Sequence, residues 1–391
     1  LFHCSFFSKS ILGYLYGNVT IGLGYQAERH EGKLTGLSAR GKPVSKIGFT
    51  KVFKVKDDKI IARNIKNNFI PFFLKGKNYW DMENFFKDMK KYSKENISAT
   101  VQNVIEKIIV KYVKKNIPKN SNLLLSGGIF ANVKLNQKVK EINSNRYLFV
   151  TPPMSDFGLC LGGIHKYSND NSTEVKNMYL GPKFSNEFIL KILKRNKKIS
   201  YLFADSNRML TQFIVNNFKN KKIFAIFNDR MEFGPRSLCN RSIVFPATKK
   251  DINDKVNKRL NRSDFMPFAP VMLDKYTKNN LVNYKNHDEL SRFMTVTYKC
   301  KNRFVKKYPA AIHVDKTIRP QILFRKDNKW FYDILENYKK ITKEECLMNT
   351  SFNSHEEPII CNPQEAINSL LKNKVDFVIF NRSIIVKKKN G

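Results

Sequence analysis

The chain has 391 residues, 42% of them hydrophobic and 13% aromatic, which excludes a disordered polymer and implies two domains rather than one ordinary core. Lys and Arg number 71 against 33 Asp and Glu, a formal charge of +38 that favours attraction of small phosphorylated molecules. The lysines are scattered among many Asn, Ile and Phe, as AT-rich codon usage produces without selection, and the longest like-charge run is Lys387–Lys389, so nucleic acid is disfavoured as a partner.

The chain opens on Leu1, with neither an initiator Met nor a charged segment before an apolar core, and reads as a fragment lacking its true N-terminus. Residues 99–117 put Val101, Val104, Ile105, Ile108, Ile109, Tyr112 and Val113 on one stripe, which predicts an amphipathic helix stopped by Pro118. NLLLSGGIFANVKLNQKVKEI then reads as strand, tight turn and helix, and RYLFVTPPMSDFGLCLGGIHKY (146–167) repeats the scheme, with a strand to Val150 and a helix opening near Asp156. Two such units in succession mean an α/β fold. The polar stretch 168–177 is the natural boundary, giving domains 1–175 and 176–391. Beyond it a helix over 185–195, a strand over 199–203, a helix over 206–218 and a strand over 222–227 are expected, and the chain closes with a Pro363-started helix and two short strands. No stretch reaches the roughly 18 apolar residues of a membrane span. The six cysteines show no CxxC spacing, which excludes a zinc ribbon or a disulfide framework and fits a reducing cytoplasm.

Several short segments carry chemistry. In SGGIFANVKLNQ, Gly127 and Gly128 let backbone amides approach an anion at a helix start, and Asn132 and Asn136, one turn apart, would face the same ligand; a plain packing turn is the alternative. Asp156 reads as a helix N-cap or as a ligand for a phosphate-bridging metal. Glu31 and Lys33 in HEGKLTGLSARG suit ribose hydroxyls and a phosphate, or a surface charge pair. Arg230, Arg236 and Arg241 gather around a Gly-Pro bend in a chain otherwise rich in lysine, and guanidinium forks match phosphate oxygens bidentately where lysine does not; ion pairs with Glu232 or Asp229 are the alternative. HVDKTIRPQ adds His313, Asp315 and Arg319, a phosphate contact and an acid-base group. Thr350, Ser351 and Asn353 in MNTSFNSHEEP can bond the carbonyl or amino end of a small planar substrate.

Read in order, HEGKLTGLSARG, LSGGIFANVKLN, PPMSDFGLCLGG, RMEFGPRSLCNRSI, NRSDFMPFAPVML, HVDKTIRPQ and NTSFNSHEEPIICNPQEAI resemble the carbamoyltransferases of the NodU and cephamycin-carbamoylase type. The resemblance implies part of an actin/sugar-kinase-like domain, of the threonylcarbamoyl-transferase branch, followed by a YrdC-like domain. It implies carbamoyl phosphate and ATP as substrates of the second domain, which forms carbamoyl-adenylate, and a hydroxylated small-molecule acceptor served by the first. Arg236, Arg241 and Arg319 would then grip phosphates, with His313 beside them, and Ser351 and Asn353 would orient the carbamoyl end. Gly127, Gly128, Asn132, Asn136, Glu31 and Lys33 would hold the adenylate, Asp156 would ligate a divalent metal (Fe or Mg), and a homodimer is expected. The family's His-x-x-x-His metal pair is absent from the six histidines, so the metal site is incomplete. Cys239, Lys316 and Glu356 stand where the family has glycine, so those turns are strained or differently built. The competing readings are a non-catalytic nucleotide-binding module of the same fold and a tRNA-modifying relative.

Overall fold

The computed structural model describes residues 12–51, 53–62, 89–118, 121–142, 147–168, 174–262, 268–284 and 289–389. Its contacts divide the chain into two units, Leu1–Ser155 and Asp156–Gly391. Residues 169–173 of the expected boundary stretch lie outside the described residues, as do 263–267 of the NRSDFMPFAPVML segment.

In the first unit the apolar stripe does form a helix, α3 (Lys94–Asn116), after α1 (Leu12–Gly22) and α2 (Glu31–Ser38). It starts five residues before the expected point because the Ser93 hydroxyl accepts the Asn96 N–H at 3.2 Å, a cap that apolar periodicity does not reveal. Val101, Val104, Ile105, Ile109 and Val113 are buried, each worth about 1.5–3 kcal/mol of transfer free energy, while Ile108 and Tyr112 sit half-buried at the stripe's margin. Gly41 passes so close to α3 that a Cβ there would lie 2.1 Å from the Glu95 carbonyl oxygen. A hairpin, β1 (Phe53–Lys56) with β2 (Lys59–Ala62), precedes the helix. β3 (Leu123–Leu125) and β4 (Leu148–Val150) pair in parallel, the first followed by a turn and α4 (Val133–Ile142), as the sequence suggests. The helix of the second strand-turn-helix scheme, α5 (Leu159–Tyr167), belongs to the second unit.

The second unit is built on a mixed sheet with eight strands among the described residues. In chain order they are β5 (Ile199–Phe203), β6 (Phe224–Phe227), β7 (Arg241–Pro246) and β8 (Ala269–Leu273). After a separate two-stranded pair, β9 (Tyr298–Lys299) with β10 (Thr317–Ile318), come β11 (Gln321–Leu323), β12 (Cys346–Ser351), β13 (Phe377–Phe380) and β14 (Ile384–Lys388). Across the sheet the order is β11-β8-β12-β7-β6-β13-β14-β5. Only β11–β8 and β6–β13 are parallel.

Helix starts in this unit follow their caps. Ser185 and Ser206 accept the third amide of α6 (Asn186–Arg195) and α7 (Asn207–Lys219). Asn362 and Glu365 form a reciprocal capping box around Pro363. On one face of the sheet, Leu210, Ile214 and Phe218 of α7 join Phe331, Ile334, Leu335 and Tyr338 of the helix Lys329–Thr342 in a core that includes Phe224, Val244, Val271, Leu347 and Phe377. Phe224 stacks on Phe377 at 4.8 Å.

Strand direction decides what meets at one edge of this sheet. β12 runs antiparallel to β7 and β8, so its C-terminal end lies at their beginnings, with Ser351 opposite Ser242 and Asn349 opposite Ala269. β11 is parallel to β8, which brings Gln321, two residues after Arg319, to the same edge. Segments more than 100 residues apart in the chain are thereby assembled at one place.

Candidate active site

The Gly-Pro bend enters β7 through a loop, 233–240, closed at its base by a buried carboxylate. Glu232 Oε1 accepts the N–H groups of Leu238 (2.6 Å), Asn240 (2.7 Å) and Arg241 (3.2 Å). Gly234 takes φ 114°, and Cys239, where the resemblance implies glycine, takes φ 83°. Lys316 (φ 61°) and Glu356 (φ 66°) do the same. All three turns therefore keep the left-handed backbone that glycine would supply, and each carries a strain of about 1–2 kcal/mol. Beneath the loop a polar floor is knitted together: Asn349 Nδ2 donates to Gln321 Oε1 at 2.7 Å, and Cys239 Sγ donates to the same oxygen at 3.1 Å. The Ser237 hydroxyl donates to the Arg241 carbonyl at 2.7 Å and lies against the Ser242 hydroxyl.

The arginines separate into two kinds. Arg241 is fully buried, stacked over Phe227 at 3.6 Å from the ring centroid, and its guanidinium donates to the carbonyls of Asn228 (2.7 Å), Asn240 (2.9 Å), Pro182 (3.3 Å) and Asp229 (3.3 Å). Its fork is closed by backbone rather than offered to a phosphate. Arg230 donates to the Gly181 carbonyl at 3.2 Å. Arg236 and Arg319 are the other kind: half-buried, with no hydrogen bond or ion pair among the described residues, and with Arg236 Nε sealed from solvent and unpartnered. Burial pulls the Arg236 guanidinium down to about 10, and burial together with the charge of Arg236 pulls Arg319 well below its ordinary value. Both cations are desolvated, and the charge of Arg236 disfavours that of Arg319.

The ion-pair alternative for these arginines fails on geometry. Asp229 pairs with Lys183 (3.0 Å) and Arg382 (3.4 Å), and Glu232 is engaged with amides.

Arg262 was not singled out from the sequence, although it lies in a stretch carrying the resemblance. It follows α8 (Asp251–Arg259) and threads into the turn after β12. It donates to Thr350 Oγ1, to Ser351 Oγ (3.1 Å), and to Asn353 Oδ1 (3.1 Å) and O (3.3 Å). Burial lowers it to about 10. Ser351 and Asn353 are thus brought together, the hydroxyl donating to Asn353 Oδ1 at 2.6 Å, and both are fixed by one guanidinium. His313 Nδ1 lies 3.3 Å from Asp315 Oδ1, which also accepts Thr317 N–H (3.0 Å) and Oγ1 (2.6 Å). His313 Nε2 is buried without a partner.

In the first unit the predicted groups are mostly engaged within the protein. Gly127 has φ 104° and donates its N–H to the Met154 carbonyl at 2.6 Å. A Cβ on Gly128 would meet nothing within 4 Å, so the backbone there is open to approach. The Asn132 side chain accepts Leu135 N–H (3.1 Å) and donates to Gln102 (2.8 Å); Asn136 is fully buried and donates to the Phe130 carbonyl (2.7 Å). The two amides hold the turn together rather than facing outward side by side. Glu31 Oε1 accepts Glu28 N–H at 2.6 Å, and Lys33 is buried with its ammonium over Tyr25, which disposes of a surface charge pair. Asp156, the first residue of the second unit, is exposed and does not cap α5, whose cap is Gly158 with no side-chain bond. It belongs to no group of three candidate metal ligands among the described residues, so a single carboxylate is all it offers a cation. No helix among the described residues is long and apolar enough to cross a membrane.

Comparison with known proteins adds two family matches. Residues 1–164 match the description "Carbamoyltransferase N-terminus" and residues 215–387 match "Carbamoyltransferase C-terminus". An uncharacterized protein of Methanocaldococcus jannaschii, MJ1051, is 34% identical over 97% of this chain and 72% of its own length. Nodulation protein NolO of Bradyrhizobium diazoefficiens is 28% identical over 75% of this chain and 55% of its own length. A crystal structure of T. kodakarensis HypF aligns with 46% of this chain and 23% of its own at 18% identity and a TM-score of 0.33, a likeness too slight to decide anything about the fold.

Proposed function

The chain belongs to the carbamoyltransferase family, and on that premise we propose that it forms carbamoyl-adenylate from carbamoyl phosphate and ATP and passes the carbamoyl group to a hydroxyl of a sugar or natural product. The observation that carries this reading is the pair Arg236 and Arg319, both half-buried and without a hydrogen bond or ion pair among the described residues, with the charge of Arg236 felt at Arg319. Such an arrangement is costly when empty and is relieved by a phosphoryl dianion that accepts from both forks. Beside it, the hydroxyl of Ser351 and the amide of Asn353, fixed by Arg262, match the carbonyl and amino ends of a carbamoyl group.

Water opens carbamoyl phosphate to carbamate and phosphate; a carbamate oxygen displaces pyrophosphate from the α-phosphorus of ATP; the acceptor hydroxyl attacks the carbonyl carbon and AMP leaves. Arginines at the phosphates stabilise the charge that develops on each leaving group. His313, oriented by Asp315 and with Nε2 uncommitted, is assigned the proton transfer of the first step. The adenylate is assigned to the turn at Gly127 and Gly128, where the backbone at Gly128 is open to approach, with Glu31 and Lys33 from the same unit. A divalent metal would supply Lewis acidity at the phosphates, but Asp156 alone does not make a site for it.

The test is pyrophosphate release that depends on carbamoyl phosphate. Arg236→Lys should reduce it more than about 100-fold, the size of a lost transition-state donor, with an unchanged circular dichroism spectrum. Undiminished release by that variant sinks the assignment.

A further inference from the structure

We infer that Glu232 is a positioning residue, which sets the affinity of the phosphate site by holding the loop that presents Arg236. The inference rests on the reading that Arg236 binds carbamoyl phosphate. One carboxylate oxygen closes the loop by accepting from residues six, eight and nine positions ahead, and these three bonds, at 2.6, 2.7 and 3.2 Å, converge on a side chain only 4% exposed. Arg236 sits between Pro235 and Ser237 near the crown of that loop, and its own side chain is tied to nothing among the described residues. Its place is therefore dictated by backbone, and the backbone is dictated at one end by Gly234 and Pro235 and at the other by Glu232.

Other bonds brace the loop as well, among them the Ser237 hydroxyl to the Arg241 carbonyl (2.7 Å) and the Cys239 N–H to Ser242 Oγ (3.0 Å). The Tyr179 hydroxyl donates to the Leu238 carbonyl (2.7 Å), Asn240 Nδ2 donates to the Arg230 carbonyl (2.8 Å), and Asn349 Nδ2 reaches the Ser237 carbonyl at 3.4 Å. None of these ties both ends of the 238–241 segment to the residue before the bend. An ionised acceptor makes hydrogen bonds roughly twice as strong as a neutral one, so the charge on Glu232, and not only its shape, stiffens the loop. The same carboxylate feels the charge of Arg241, but the terminal nitrogens of that guanidinium donate to carbonyls, so Glu232 Oε1 remains with the amides.

Glu232→Gln keeps the shape and an acceptor oxygen but removes the charge. The full chain, wild type and variant, is titrated with carbamoyl phosphate by calorimetry, assayed for pyrophosphate release, and digested briefly with trypsin to map cleavage at the Arg236–Ser237 bond. The expected result is a KM for carbamoyl phosphate raised about tenfold with kcat within twofold of wild type, and faster cleavage at that bond than at any other. If the variant does not fold, Glu232→Asp, which shortens the reach by one methylene, is measured in the same way. Unchanged KM and cleavage in the variant overturn the inference while leaving the proposed function standing. Failure of the wild type to bind carbamoyl phosphate removes the proposed function itself.

Discussion

The two candidate sites engage their polar side chains to different degrees. Around the Gly127–Gly128 turn, Asn132, Asn136, Gln102 and Glu31 all find partners within the protein. At the edge of the large sheet, half-buried Arg236 and Arg319 have no hydrogen bond among the described residues, and Arg236 Nε and His313 Nε2 are sealed from solvent without one. Buried polar groups in folded proteins are nearly always hydrogen-bonded, so the exceptions mark where an outside group completes the structure. Arg241, a few residues from Arg236, shows the contrast inside one segment: the same side-chain type is there a tie between three stretches of backbone.

Three substitutions sharpen or break that contrast. The largest effect is expected at Arg241, where Arg241→Met strands several carbonyls and should lower stability by about 3 kcal/mol in urea unfolding, since each unsatisfied buried group costs about 1–3 kcal/mol. Stability equal to wild type would show that Arg241 is no tie. In the first unit, Asn132→Ala removes a side-chain cap and should lower stability by about 1 kcal/mol while leaving nucleotide affinity, measured by equilibrium dialysis, unchanged. A large loss of nucleotide binding with intact stability would erase the distinction between the two sites.

The smallest effect concerns a carboxylate that is buried yet fully partnered. Burial raises Glu345, but the Asn280 amide, Lys339 and Arg303 outweigh it and hold the group below its ordinary value. A depressed folded value means stability present above the ordinary carboxylate range and lost as pH falls through the folded value. Thermal melts of Glu345→Gln should therefore be flatter than wild type on acidification, by about 1 kcal/mol at most. Parallel curves would place the charge of Glu345 outside the stability of this unit.

Much of the architecture was legible because periodicity and caps are local. The stripe on α3, the helix expected over 206–218 and the Pro363 start of the helix after Cys361 are read from a few adjacent residues. The gathering of Arg236, Arg319, Ser351 and Asn353 was legible only as a set of motifs, since strand order joins residues far apart in the chain. Two things were hidden. Arginine's geometry is shared by binding and bracing roles, so sequence alone could not separate Arg241 from Arg236. Arg262 was passed over because nothing in its neighbours announces that it reaches 88 residues ahead to Thr350.

Cys239 has a consequence of another kind. Its thiol is buried against Gln321, and burial pushes it well above the ordinary thiol range, so the reactive thiolate is suppressed while the loop is closed. Alkylation of that sulfur can proceed only during excursions in which the 233–240 segment lifts away from the sheet. The cysteine is thus a built-in clock for those excursions, and an anion seated between the two guanidinium groups would make it run slow.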